Sequence, residues 1–141
     1  MNQEPIIVEK LLNAPASKVW QALTDKDQMK EWYFDIAEFT PEAGFEFTFT
    51  GTNEGRTFVH LCKILEVIPE RKLVHTWRYE GHAGNSVVTF ELTPEGDKTL
   101  LRLTHRGVET FPATPDFLKS NFLMGWTHII GTSIANYVEQ G

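Results

Sequence analysis

The chain carries a single cysteine, Cys62, in 141 residues. A lone thiol excludes an intrachain disulfide, so the fold must rest on its core, and it points to a reducing compartment such as the cytoplasm. Basic charge is scarce as well: 13 Lys and Arg stand against 19 Asp and Glu, for a net charge of −6. Such a chain is repelled by nucleic-acid phosphates and anionic lipid unless its basic residues cluster. The densest basic patch is Arg71-Lys72 beside Glu70 and the turn residue Pro69, so no nucleic-acid partner is expected. No apolar run approaches the ~18 residues of a spanning helix, and Met1–Pro5 has neither the basic nor the apolar region of a secretion signal. Neither membrane insertion nor export is expected. The phosphate loop G-x-x-x-x-G-K-[ST], the dinucleotide turn G-x-G-x-x-G and the nucleophile elbow G-x-S-x-G are all missing. So are H-E-x-x-H and C-x-x-C. With them go the usual holders of nucleotides, metals and covalent intermediates, so no cofactor, no metal and no covalent chemistry are expected.

What is present is a chain long enough for one domain, residues 1–141, with 41% apolar residues, 12% aromatics and 10 Phe. Phe has no polar tip that needs a partner, so its excess suits a broad apolar interior. Pro5 to Leu12 reads as a first strand, and Asn13-Ala14-Pro15-Ala16-Ser17 breaks it. A helix with Val19, Trp20 and Leu23 on its apolar side should follow, and Thr24 or Asp25 should cap a short second helix through Met29 and Trp32. From residue 34 to 107, turn signals separate segments rich in β-branched and aromatic residues. The expected strands are Phe34–Phe39, Phe45–Thr50, a long strand from Gly55 through Val67, Lys72–Tyr79, Ser86–Leu92 and Thr99–Gly107. Thr114-Pro115-Asp116 has the hydroxyl cap, first-position proline and acid of a helix start. Phe122, Trp126, Ile129, Ile130, Ser133, Ile134 and Tyr137 then recur at helical spacing up to Val138. That helix would be about 35 Å long at 1.5 Å per residue. Gly125 and Gly131 inside it each cost roughly 1 kcal/mol relative to Ala; close approach to another element is the expected reason, and glycines tolerated at the surface are the alternative.

The element order is therefore strand, two short helices, six strands and one long helix. A sheet with one apolar face must cover it, and the long helix is the element large enough to do so. The fold class is α+β: a curved, seven-stranded antiparallel sheet gripping a C-terminal helix.

That order resembles the START-like superfamily, also called Bet v 1-like or SRPBCC. Within it, the chain is most similar to the domain family of the activator of heat-shock-protein ATPase homologue 1. The residues that carry the resemblance are Ala14-Pro15 before Val19-Trp20, Leu23-Thr24-Asp25, Trp32 and Ile64 to Pro69. With them go Arg71-Lys72-Leu73-Val74, Trp77, the strand Val88-Thr89-Phe90-Glu91-Leu92 and Gly125-Trp126. Ala43-Gly44 stands where family members often show paired glycines. The resemblance implies a helix-grip fold with a cavity between sheet and helix. It does not imply a single activity, because the superfamily spans carriers, receptors and cyclases.

Strand alternation places the side chains that would line such a cavity. If Arg102 faces water, Leu101, Leu103 and His105 face inward. The turn at Pro94–Asp97 then sets Leu92, Phe90 and Val88 opposite them. Pairing through Gly81–Asn85 adds Leu73, His75, Trp77 and Tyr79, and the hairpin at Pro69 adds Ile64, Cys62 and His60. The candidate binding residues are His60, His75, Trp77, Tyr79, Phe90, Leu103 and His105 on the sheet, with Phe122, Trp126 and Ile130 on the helix. The simpler reading of each histidine is a core residue satisfied by a backbone carbonyl or a neighbour. Cys62 has nothing local to activate it, Glu46 and Glu66 fit half-exposed strands, and Trp20, Trp32 and Trp126 fit the core. The leading functional expectation is a carrier or sensor of a small, largely apolar molecule, as a monomer or weak homodimer and not an enzyme. A cyclase- or hydratase-like enzyme using a pocket His with Tyr79 is one alternative. A co-chaperone-like protein-binding module is the other.

Overall fold

Alternating apolar and polar side chains build the sheet, and the structure, a computed structural model, describes residues 4–32, 36, 38–53, 56–112 and 119–139. Strands β1 (Ile6–Leu12), β2 (Glu46–Asn53), β3 (Arg56–Ile68), β4 (Lys72–Tyr79), β5 (Ser86–Glu95) and β6 (Lys98–Arg106) form one antiparallel sheet. Their order is β1-β6-β5-β4-β3-β2, so all but one contact join neighbours in sequence. The registers follow the inward alternation: Phe90 pairs with Leu103, Val88 with His105 and Leu73 with Phe90. His60 pairs with Tyr79 and Ile64 with His75.

Of the expected strand at Phe34–Phe39, the described residues are not part of this six-stranded sheet. Ile36, Glu38 and Phe39 are coil, and Phe34, Asp35 and Ala37 lie outside the described residues. A tight turn at Thr40–Phe45, closed by Glu42 N–H to Thr40 O at 2.8 Å and Phe45 N–H to Glu42 O at 3.1 Å, turns this segment inward. The Phe39 ring packs edge-on against Phe47 at 5.0 Å, so it covers the inner face and does not extend the sheet edge. A register shift between Ile64 and Glu66 leaves Leu65 exposed and lets both halves of β3 keep their apolar side inward.

Two short helices follow β1: α1 (Ala16–Thr24), which buries Val19, Ala22 and Leu23, and α2 (Lys26–Trp32), which buries Met29 and Trp32. Asp25 caps α2, its Oδ1 accepting the Asp27 N–H at 3.0 Å. Trp32 is core, donating its Nε1–H to the Ala22 carbonyl at 2.8 Å. No described helix is long and apolar enough to cross a membrane.

The C-terminal helix is composite. It comprises α3 (Lys119–His128), a π-helical stretch (Ile129–Ser133) and α4 (Ile134–Val138). The expected start at Thr114-Pro115-Asp116 lies outside the described residues. The π stretch has a physical reason. Trp126, Ile130, Ile134 and Val138 are all buried and recur every fourth residue. In a pure α-helix each step of four overshoots a turn by about 40°, so Val138 would swing roughly 120° off the face set by Trp126. The wider π turn takes up that drift and keeps the stripe against the core. The helix runs alongside β1 in the same direction. Lys119 Nζ donates to the Glu4 carbonyl at 2.8 Å near one end, and the Asn13 N–H reaches Glu139 Oε2 at 2.9 Å at the other.

Gly125 corrects an expectation, as does Gly131: a Cβ built on either meets nothing within 4 Å, so neither marks a close approach. Gly84 does. Its φ is +108°, and a Cβ there would lie 2.5 Å from the Phe111 ring, which locks the β4–β5 loop against the turn at Val108–Thr110. Gly125 is exposed within α3 and has ordinary helical geometry. Gly125→Ala should therefore raise unfolding stability by about 1 kcal/mol, read as an increased urea midpoint at unchanged slope.

Candidate functional site

The inner face is a sheet of rings because every second residue of β2, β3 and β4 is aromatic, imidazole or apolar. Phe47, Phe49, His60, Cys62, Ile64, His75, Trp77 and Tyr79 are all buried. Phe90, Leu103 and His105 continue this face on β5 and β6, and Trp126 and Ile130 meet it from the helix, all buried. Phe122 is half-buried, stacked on Phe111 at 5.7 Å and edge-on to His105 at 5.3 Å. Trp126 bridges the layers, its ring 5.3 Å from Trp77 and 6.0 Å from Phe90.

His105 sits at the centre of a fully satisfied chain of hydrogen bonds. Trp126 donates its Nε1–H to His105 Nδ1 at 2.9 Å. Ser86 Oγ lies 2.7 Å from His105 Nε2 and 2.8 Å from the Trp77 carbonyl. A serine has one proton and the carbonyl must accept it, so His105 Nε2 carries the hydrogen and donates to Ser86. The indole fixes the tautomer from the other side, since its N–H needs a bare Nδ1. Protonating His105 would set two N–H groups against each other.

The other two imidazoles are held by backbone. His60 Nδ1 donates to the carbonyls of Phe49 at 3.3 Å and Phe58 at 3.2 Å, and its ring stacks on Phe49 at 4.4 Å. His75 Nδ1 donates to the Thr76 carbonyl at 2.8 Å. The Lys63 N–H, facing that carbonyl across the ladder, bonds instead to Thr76 Oγ1 at 2.9 Å. Tyr79 accepts the Trp77 Nε1–H at 2.9 Å.

Burial keeps all three imidazoles neutral. It lowers His60 to about 4 against the opposing pull of the Phe49 and Phe58 carbonyls. It lowers His75 to about 4 against the Thr76 carbonyl. His105 falls to about 3 through burial, helped by repulsion from His75. Burial lifts Tyr79 to about 12, with the Trp77 hydrogen bond opposing it, and burial pushes the Cys62 thiol up. The thiol is therefore an inert core group.

The sequence reading missed Ser86. It is 1% exposed and lies two residues before Val88 on the same face. A polar residue continuing an inward alternation beside a predicted inward histidine was the available signal. Glu66 is accounted for by an ion pair with Lys72 at 3.2 Å, and Glu46 is exposed on β2. Among the described residues, no three His, Cys, Asp or Glu side chains converge as a metal site. On the outer face an open cleft of about 370 Å³, lined by Leu61, Lys63, Thr76 and Arg78 among others, lies where the β3–β4 ladder is interrupted.

Comparison with known proteins places this geometry. The family model described as Activator of Hsp90 ATPase homolog 1-like protein matches residues 13–139. Among solved structures, protein MLL2253 from Mesorhizobium loti is 28% identical with a TM-score of 0.79, covering 97% of this chain and 98% of its own. Protein CV1439 from Chromobacterium violaceum is 22% identical with a TM-score of 0.82, covering 98% and 99%. CalU16 from Micromonospora echinospora is 27% identical with a TM-score of 0.72, covering 96% and 74%. No curated protein matches the chain.

Two outcomes follow from the hydrogen-bond chain and the neutral imidazoles. Ser86→Ala, which changes little volume, should cost about 1–3 kcal/mol in urea unfolding because His105 Nε2–H and the Trp77 carbonyl lose their partner. Between pH 6.5 and about 4 the unfolded chain binds protons that the folded chain refuses at His60, His75 and His105. Stability is thus full above pH 6.5 and falls on acidification, by roughly 1.4 kcal/mol per pH unit per histidine. Urea midpoints measured from pH 7 to 4 check the slope, and a flat profile would place these rings in water.

Proposed function

Because the chain belongs to the Activator of Hsp90 ATPase homolog 1-like protein family, we propose that it works as a binding domain. In this reading the domain holds a small, largely apolar molecule between the inner face of the sheet and the C-terminal helix, as a carrier or sensor. The supporting observation is the continuous, uncharged lining that runs from Phe47 and His75 through Trp77 to Trp126, with its imidazoles held neutral by burial. Such a lining suits an apolar guest, which gains by leaving water and meets no buried charge.

The lining also favours binding over acid–base catalysis by a histidine with Tyr79. A general acid–base group works best with a pKa near the operating pH. Here burial drives the imidazoles down to about 4 and the phenol up to about 12, in opposite directions from neutrality.

Burying ~300 Å² of apolar ligand surface gains about 7 kcal/mol gross. Lost motion offsets several kcal/mol of that, so micromolar affinity is the expected scale. Titration with the neutral dye N-phenyl-1-naphthylamine should give saturable fluorescence enhancement. Leu103→Trp should abolish it while circular dichroism shows the fold retained, since Leu103 is fully buried on the inner face beside its cross-strand partner Phe90. Dye binding should persist below pH 6, where free histidine titrates, and fail only as the pH approaches 4. An absence of saturable binding, or binding indifferent to Leu103→Trp, defeats this reading.

A further inference from the structure

Two of the inner-face imidazoles, His105 and His75, differ in one respect. His105 uses both ring nitrogens, Nδ1 toward Trp126 and Nε2 toward Ser86. His75 uses one. Its Nδ1–H is spent on the Thr76 carbonyl at 2.8 Å, which leaves Nε2 as a bare lone pair, and no donor among the described residues reaches it. The side chain is 4% exposed, with the Phe47 ring edge-on at 5.2 Å, Trp77 stacked at 6.3 Å and Phe90 tilted at 6.0 Å. The nearby indoles cannot serve it, because Trp77 donates to Tyr79 and Trp126 donates to His105. A buried acceptor left unpaired is costly, and native interiors rarely tolerate one without a reason. The tautomer is not free to relieve it. Moving the proton to Nε2 would abandon the Thr76 carbonyl, which Lys63 has already forsaken for Thr76 Oγ1.

We propose that His75 Nε2 is the polar contact of the binding site, and that the ligand is an uncharged, largely apolar molecule carrying one hydroxyl or N–H donor. This rests on the binding reading above and narrows its ligand class. A donor on the guest satisfies this acceptor, and the surrounding rings take the remaining apolar surface. A carboxylate is disfavoured, because its lone pairs would face that of Nε2 and its charge would lie among neutral rings.

The test compares 2-naphthol, 2-methoxynaphthalene and 2-naphthoate, which share one ring system and differ in what they offer Nε2. Calorimetric titration should show 2-naphthol binding about tenfold more tightly than 2-methoxynaphthalene, with 2-naphthoate weakest. His75→Phe should erase the naphthol preference and leave 2-methoxynaphthalene binding in place. If that variant does not fold, nitrogen-15 spectra of the unaltered protein decide. The His75 Nε2 resonance should move upfield with 2-naphthol and stay put with 2-methoxynaphthalene. Equal affinity for the two, or an unmoved Nε2 signal on naphthol binding, overturns the assignment and leaves a buried water as the partner of Nε2. Failure of all three probes to bind instead removes the binding reading itself.

Discussion

The interior is organised by the hydrogen bond from Trp126 to His105. It is the polar fastening between the C-terminal helix and the middle of the sheet, and it lies in a region otherwise built from rings and aliphatic chains. Such a bond is costly to break, because both partners are buried and no water would replace the lost contact. Through Ser86 it continues to the Trp77 carbonyl, so helix, β6, β5 and β4 share one connected arrangement. The chain has one sense of donation, and it requires a neutral imidazole with its proton on Nε2. Geometry and electrostatics therefore agree, since the burial that makes the bond strong also keeps the histidine uncharged.

The helix can offer Trp126 at that point because of how it lies. It is fastened to β1 near both ends and keeps a buried stripe of every fourth residue through its π turn. While Trp126 reaches Trp77 on β4, the inner face of β2 is covered by other residues, among them Phe39. The half of the sheet formed by β2, β3 and β4 carries Phe47, Phe49, His60 and His75. Across the inner face His105 is held at both ring nitrogens, His60 by two backbone carbonyls and His75 through Nδ1 by the Thr76 carbonyl.

The family assignment and the geometry contribute different things. Family and structural matches establish the fold over nearly the whole chain. They do not choose among the activities that such a scaffold hosts, because function resides in the lining. Here the inner face is uncharged and aromatic, with its imidazoles kept neutral by burial. Those properties belong to specific side chains, and a change at His75 or Ser86 would alter them without altering the fold class.

Much of this was legible in the residues themselves. Period-two alternation with short turns determined the hairpin registers of β4, β5 and β6, because shifting any strand by one residue would turn its apolar side to water. It therefore placed His60, His75 and His105 inward, and helical spacing put Trp126 and Ile130 against them. Three things were beyond local pattern. The segment holding Phe39 has strand-like composition, yet the turn at Thr40–Phe45 folds it over Phe47. The π turn answers to a straight partner surface that a sequence does not display. Which imidazole nitrogen finds a donor depends on distances of a few ångströms between residues far apart in the chain, such as His105 and Trp126. Sequence determined which face each side chain occupies, since alternation is a property of the backbone. Only the tertiary structure decided which polar atoms on that face are satisfied, since a hydrogen bond requires two groups to meet.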